Sequence, residues 1–383
     1  TITAAYSGDT NDATSASSTL TQTINQIPTT TILSSSANPS TSGQSVTLTA
    51  TVSPSTATGT VTFTVDGTAQ LPVTLSGGQA TFSSSSLSVG SHIITAAYSG
   101  DTNDATSASS AVTQTVNKGS VAILLSSSVS SDTFGQPVTL TAIVSPVAPA
   151  TSLPGGYVQF ISNGQDLGSP VTLSNGKATL VITSLPAGTN YIVASYLGNS
   201  NFVPSSSNSV VVKITLTYLQ QKTGVITSLT GLVQSDRDDK NNIDAAIKQV
   251  TESIKPSLWQ ADGLHLNTKN GEQVFDAEKH AVNQLMDTVK HHKESQAFDT
   301  TIEKNINTLV SVDQGISSTA ISDASSGIPH GDSVKDLAQA QKEIVMATGE
   351  TSVGHFDAAI DHYKNAWKQA QEVLQDHTAT VHH

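Results

Sequence analysis

Ile93-Ile94-Thr95-Ala96-Ala97-Tyr98-Ser99-Gly100-Asp101-Thr102-Asn103-Asp104-Ala105-Thr106 repeats, almost letter for letter, the opening stretch from Thr1 to Thr14. A weaker third copy lies between Tyr191 and Ser205 and contains Tyr196-Leu197-Gly198-Asn199. The tyrosines at 6, 98 and 196 step by 92 and 98 residues, the length of one small domain. Other segments keep this step. Gly43-Gln44-Ser45-Val46-Thr47-Leu48-Thr49-Ala50 matches Gly135-Gln136-Pro137-Val138-Thr139-Leu140-Thr141-Ala142, and Val73-Thr74-Leu75-Ser76 matches Val171-Thr172-Leu173-Ser174. Within a repeat Val46, Leu48, Ala50 and Val52 alternate with Ser and Thr, as do Val61, Phe63 and Val65, a period of two that predicts half-buried strands. Asp66-Gly67, Ser76-Gly77-Gly78 and Ser174-Asn175-Gly176 supply the positive-φ residues of hairpin turns. Each unit is expected to hold about seven short antiparallel strands of an all-β sandwich.

These framework and turn segments resemble the bacterial immunoglobulin-like repeats found in tandem in large surface proteins and adhesins, notably units ending in a Tyr-x-Gly-Asp-x-Asn stretch. The resemblance covers about the first 217 residues. It implies modules that act as spacers holding a terminal domain away from a cell, some of them binding ligands through loops, and an extracellular or cell-surface location. The chain has no cysteine, so the cross-sheet disulfide of antibody domains is absent and the cores must close by apolar packing.

After Leu219 the period changes. Ile243, Ala246, Ile247, Val250 and Ile254 recur at three and four residues before Pro256; Val274, Phe275, Val282, Leu285, Met286 and Val289 form a second stripe. Phe298, Ile302, Ile306, Leu309 and Val310 form a third, and Val334, Leu337, Ala338, Ile344 and Val345 a fourth. The fifth runs from Phe356 through Ala359, Ile360, Tyr363, Ala366, Trp367, Ala370 and Val373 to Leu374, with a sixth helix over Val225 to Val233. Gly354 to Trp367 looks like the second helix of a tetratricopeptide unit, in a single copy that implies one hairpin and no peptide groove. The region looks like the helical C-terminal domain of uncharacterised bacterial surface proteins.

The expected fold is therefore multidomain, with all-β immunoglobulin-like sandwiches in tandem followed by an all-α helical bundle. Its parts are 1–25, the last two strands of an incomplete repeat; 26–117 and 118–217, complete repeats; and 218–383, the bundle. The missing strands of 1–25 are expected from further repeats of a longer precursor in preference to a neighbouring molecule, which would give head-to-tail self-association. No Leu-Pro-x-Thr-Gly signal occurs, so sortase attachment is not expected.

Charge narrows the partners. Thr1 to Thr217 hold 7 Asp, no Glu, 3 Lys and no Arg, and the rest of the chain holds 23 acids and 14 bases. Both parts would repel nucleic acid or an anionic lipid surface. No apolar run approaches the roughly 18 to 20 residues of a membrane span.

Asp101, Asn103 and Asp104 place hard oxygen atoms together and are the candidates for calcium, the one cofactor considered. A site needs about six to eight oxygens, and the third copy has Asn199, Asn201 and Phe202, so a polar turn is preferred. Asp236, Asp238, Asp239 and Asp244 depart from a calcium loop at Lys240, Asn241 and Ile247 and are read as helix-capping acids. Ten of the eleven histidines follow residue 260, but His355 with His362, His280 with His291, and His291 with His292 are wrongly spaced to share a metal on one helix. His330-Gly331-Asp332-Ser333 carries the letters of a hydrolase triad, and an N-cap at Ser333 with Asp336 three residues on accounts for them. The reading favours a non-enzymatic structural or adhesive surface protein, its sandwiches a stalk or filament and its bundle a head or docking unit. Its partners would be other surface-protein molecules or repeats of the same precursor. A peptide- or glycan-binding module using Trp259 and Trp367 comes second and an extracellular hydrolase last.

Overall fold

A computed structural model of the chain describes residues 1–232, 237–291, 295–326 and 332–380, with side chains 291 and 377–380 excepted. The chain divides into two compact units. One comprises Thr1–Ser130, Pro137–Thr183 and Thr189–Val212, and the other Ser131–Gln136, Ser184–Gly188 and Lys213–His383.

Residues 1–25 form a hairpin of β1 (Ala5–Tyr6) and β2 (Ser15–Ala16). The first sandwich follows with β3 (Thr30–Ser35), β4 (Ser40–Thr41), β5 (Val46–Ser53), β6 (Thr60–Val65), β7 (Thr68–Ala69), β8 (Val73–Thr74), β9 (Gln79–Ser84), β10 (Gly90–Tyr98), β11 (Ser107–Ala108) and β12 (Val112–Asn117). One sheet has the order β3-β5-β9 and the other β4-β12-β10-β6-β7, with β11 and β8 pairing β10 and β6. Register places the alternating residues as the sequence requires. Ile94, Ala96 and Tyr98 on β10 face Val65, Phe63 and Val61 on β6, and all but the half-buried Val65 are shielded from water. Phe63 and Phe82 stack across the two sheets with ring centroids 5.8 Å apart, which closes the core without a disulfide.

The second sandwich repeats the plan with β13 (Val121–Ser127), β14 (Ser131–Thr133), β15 (Val138–Pro146), β16 (Tyr157–Ser162), β17 (Gln165–Asp166), β18 (Val171–Thr172), β19 (Lys177–Ile182), β20 (Gly188–Tyr196), β21 (Ser205–Ser206) and β22 (Val210–Thr215). The expectation of purely antiparallel strands needs one correction in each sandwich. β4 runs parallel to β12, and β14 parallel to β22. In the first sandwich the β3 ladder ends with the Ser36 N–H on the Thr47 carbonyl (2.9 Å), and the chain changes sheets as Asn38 Nδ2 donates to the Thr113 carbonyl of β12 (2.7 Å).

The predicted turns form. Asp66 and Gly67 both have positive φ, as do Gly77 with Gly78 and Asn175 with Gly176, and Asn163 with Gly164 makes a further turn of this kind. The Asp66 carboxylate accepts the Ile93 N–H (2.8 Å) and pairs with His92 Nδ1 (2.7 Å), whose Nε2 faces the Ser88 carbonyl (2.8 Å). In the second sandwich neutral groups replace the ion pair: Asn163 Oδ1 accepts the Tyr191 N–H (3.0 Å), and Asn190 stands where His92 was.

The helical unit contains α1 (Tyr218–Thr230), α2 (Arg237–Ser253), a 3-10 turn (Pro256–Leu258), α3 (Glu272–His291), α4 (Gln296–Ser326), α5 (Asp332–Ser352) and α6 (Phe356–Thr380). α1 begins seven residues ahead of the apolar stretch because Thr217 and Gln220 form a reciprocal capping box. α4 continues well beyond Val310, burying Ile316, Ala320 and Ala324 among its serines. Three members of the fourth stripe are corrected: Val334, Ala338 and Val345 are exposed, and α5 buries Ala340, Glu343 and Ala347, with Leu337 and Ile344 partly covered. Val345 lies about 100° around the helix from its neighbour Ile344, and α5 is turned so that the Ile344 side of the pair meets the core. The fifth stripe is buried from Ala359 to Val373, and α5 and α6 form a hairpin about Gly354, whose φ is +81°.

Candidate functional site

In the helical unit, the segment from Trp259 to Gly271 crosses α4 and α6 and leaves a cleft of about 340 Å³. Leu266, Ile316, Ala320, Trp367 and Leu374 form its apolar wall, and Gln260, His265, Asp323 and Gln371 its polar edge. A bridge between Trp259 and Leu266 sets the loop, and Asp262 turns it by accepting the N–H groups of Leu264 (2.9 Å) and His265 (3.0 Å). Gly271 lets it approach α6: a Cβ there would come within 2.6 Å of Leu266 Cβ and 2.9 Å of Trp367 Cζ2.

His265 ties this loop to α4, with Nδ1 on Asp262 and Nε2 on Asp323 (3.0 Å). Burial disfavours the charged ring, but the two aspartates outweigh it and hold His265 above the ordinary histidine range. Asp262 is also partly buried, and its hydrogen bonds from Leu264 and His265 hold it below the usual carboxylate range. The cleft therefore combines an apolar pocket with a polar rim in which His265 and Asp323 are paired with each other, an arrangement suited to binding.

Deeper in the same unit, Lys222 on α1, Glu278 on α3 and Asp313 on α4 are all fully buried. Lys222 Nζ contacts Glu278 Oε1 and lies 4.7 Å from the centroid of the Trp259 ring. Burial, followed by the charge of Glu278, pushes Asp313 well above the carboxylate range, against the opposing pull of Lys222.

Neither group was anticipated from the sequence, although part of the signal was there. Lys222 precedes Val225 and Leu229 at helical spacing, Glu278 stands four residues from both Val274 and Val282, and Asp313 stands three from Val310 and Ile316. Charges in phase with apolar stripes mark unusual cores. His265 lies in a loop with no period to expose it.

Of the calcium candidates, Asp101 has its carboxylate occupied by donors of the protein, whereas Asp104 Oδ1 is buried without a hydrogen-bond partner among the described residues. Asp101 Oδ1 accepts N–H groups from Asn103 (2.7 Å) and Asp104 (2.8 Å), and Oδ2 accepts the N–H and hydroxyl of Thr58. The hydroxyl and N–H of Thr58 lead the donors that depress the Asp101 pKa strongly. The other two are turn residues: Asn103 offers its carbonyl to the Ile27 N–H (2.8 Å), and Asp104 is buried. In the second sandwich Asn199 Oδ1 accepts from Asn201 (2.8 Å) and Phe202 (2.9 Å), while its Nδ2 donates to the Gly155 carbonyl (3.1 Å). Tyr98 and Tyr196 donate to Thr58 O (2.6 Å) and Gly155 O (2.8 Å), pinning each loop to its own sandwich.

The histidines go to separate partners: His355 to Glu350, His362 to Glu343 and His280 to the Asp276 carbonyl. No group of three or more His, Asp or Glu among the described residues is placed to hold a metal ion. Ser333 is not the N-cap predicted. It lies inside α5, which starts at Asp332, and donates to Asp376 (3.2 Å). Asp238 and Asp239 occupy the first turn of α2. Asp236, His292, His330 and Gly331 lie outside the described residues, as does the His291 side chain. Trp259 and Trp367 are buried, at 6 % and 3 % exposure. Among the described residues no helix is long and apolar enough to cross a membrane.

Comparison with known proteins bears on the sandwiches. None of the curated proteins matches the chain. Among solved structures it is similar to the fibronectin(III)-like modules of Clostridium thermocellum CbhA, at 16% identity over 48% of this chain and 94% of that one (TM-score 0.22). It is also similar to the Escherichia coli adhesin FdeC, at 16% identity over 53% and 68% (TM-score 0.23). The D0-D1 domain of intimin gives 19% over 48% and 97% (TM-score 0.19). The family model for the bacterial Ig-like domain (group 3), a type of domain typical of bacterial surface proteins and adhesins, matches residues 33–117 and again 125–215, in tandem.

Proposed function

We propose that this chain is a non-enzymatic structural or adhesive protein of a bacterial surface, its Ig-like modules a stalk and its helical unit a terminal head or docking unit. The observation that carries this reading is the way each module captures the segment leading into it. Ile27 exchanges backbone hydrogen bonds with Asn103 and Ala105, and Gly119 does the same with Asn201 and Val203. Lys118 Nζ adds a bond to the Asn199 carbonyl (2.7 Å). The segment between the sandwiches is thereby part of the second fold, as a spacer requires and a flexible linker does not. The aspartate-rich loop, read chemically as a calcium candidate, serves this reading as the capture device.

Labelling intact cells of the source organism with an antibody to the sandwiches tests the location, and label that enters only permeabilised cells refutes it. Pulling the chain end to end tests the stalk. Each sandwich should unfold separately, releasing about 300 Å at roughly 3.6 Å per residue, and one joint event would refute independent modules. The cleft beside His265 favours a second reading, in which the helical unit binds a peptide or glycan.

A further inference from the structure

Lys222, Glu278 and Asp313 come from three helices and are each 0 % exposed. Among the described residues none of their five side-chain nitrogen and oxygen atoms has a hydrogen-bond partner outside the trio. The trio has only itself to satisfy it, and a buried ammonium–carboxylate pair without further hydrogen bonds is a costly way to fill a core. A neutral amide would remove both charges.

The trio also has the arrangement that amide formation needs. Lys222 Nζ is in contact with the Glu278 carboxyl group. The Trp259 ring backs the amine, and its own Nε1–H is anchored on the Ser253 carbonyl (2.7 Å). Groups held so closely react as if present at about 10⁵ M or more, far above the concentration of water that would reverse the reaction, and the water formed is lost from an apolar core. Asp313 lies beside Glu278 and is kept neutral by burial and by the Glu278 charge, so it holds a proton ready to give.

We propose that Lys222 and Glu278 condense into an intramolecular amide joining α1 to α3, with Asp313 as the acid. Lys222 passes one proton to Glu278, and the freed Nζ lone pair attacks Cδ to form the C–N bond. Asp313 protonates the departing oxygen, the C–O bond breaks and water leaves. Asp313 then regains a proton from the nitrogen. The sum is one ammonium and one carboxylate giving one amide and one water, with no change of oxidation state and no other reactant.

Intact-mass spectrometry of the denatured full chain tests this. The expected mass is one water below that of the linear chain, and a protease digest should yield a branched peptide joining Lys222 to Glu278. Lys222→Met should restore the full mass. Asp313→Asn, which keeps the shape but removes the acid, should slow condensation at least tenfold, leaving mostly uncondensed chain in fresh preparations. A wild-type chain of full mass overturns the proposal, and so does a cross-link ending at Asp313 or elsewhere. Wild-type rates in Asp313→Asn overturn the role of Asp313. The wild-type mass and digest decide the amide even if a variant fails to fold.

Discussion

Gly315 and Gly224 are both helical glycines, and replacing each by alanine should move stability in opposite directions. Removing a glycine from a helix interior contributes about 1 kcal/mol in either place. At Gly224, on α1, a new Cβ meets nothing within 4 Å, so the gain stands alone. At Gly315, on α4, the Cβ would lie 2.5 Å from Tyr218 Cε1 and 2.7 Å from its Cζ and Oη. Tyr218 is poorly able to retreat, because it packs on the bundle core and its hydroxyl is bonded to Thr319 Oγ1 at 3.0 Å. Overpacking costs about 1–3 kcal/mol and the strained hydrogen bond about 1 kcal/mol more, so the net loss is about 1–3 kcal/mol. For a unit of this size each kcal/mol shifts Tm by about 2–4 °C. Thermal melts followed by the helical circular dichroism signal should show Gly315→Ala lower by about 2–12 °C and Gly224→Ala higher by about 2–4 °C. A shift of the same sign in both variants would refute the argument from space.

Tyr98→Phe keeps the buried ring and loses the hydroxyl bond to Thr58 O, so the first sandwich should lose about 1 kcal/mol in denaturant melts. Tyr196→Phe should cost less, because Gly155 O keeps Asn199 Nδ2 as a donor; equal or reversed losses would count against this. The Ser88 carbonyl and then Asp66 raise the His92 pKa, so this contribution is complete below the ordinary histidine range and disappears as pH rises through the raised value. Asp66, held down first by His92, contributes above the ordinary carboxylate range and loses that contribution as pH falls through its lowered value. Amide-exchange protection at Ile93 should therefore peak between those limits, while Tyr191, held by Asn163, shows no such peak; parallel profiles would exclude the ion pair as the cause. Since hydrogen-bond donors already occupy both Asp101 carboxylate oxygens, millimolar calcium should leave the melting temperature of the first sandwich unchanged. A calcium-dependent rise abolished by Asp101→Ala would instead establish a site.

The amino-acid sequence determined the sandwiches almost completely, because strand alternation and positive-φ turns are local properties and the repeats state them more than once. Val46 to Val52 could bury every second residue in only one way, and Asp66-Gly67 and Asn163-Gly164 could turn the chain whatever lay opposite. The stripe from Ala359 to Val373 was equally legible, since a helix carries its own period. What the period leaves open is its phase where apolar residues are adjacent, and packing against α6 chose Ile344 over Val345. Tertiary structure alone decided the two constellations of the helical unit. Lys222 shares a stripe with Val225 and Leu229, but a lysine on such a stripe can extend to water. Only the approach of α3 and α4 enclosed it with Glu278 and Asp313. His265 met Asp323 across 58 residues of sequence because Gly271 let a loop settle on α6. Burial and charge pairing are properties of neighbours, and the neighbours of these residues are distant in the chain.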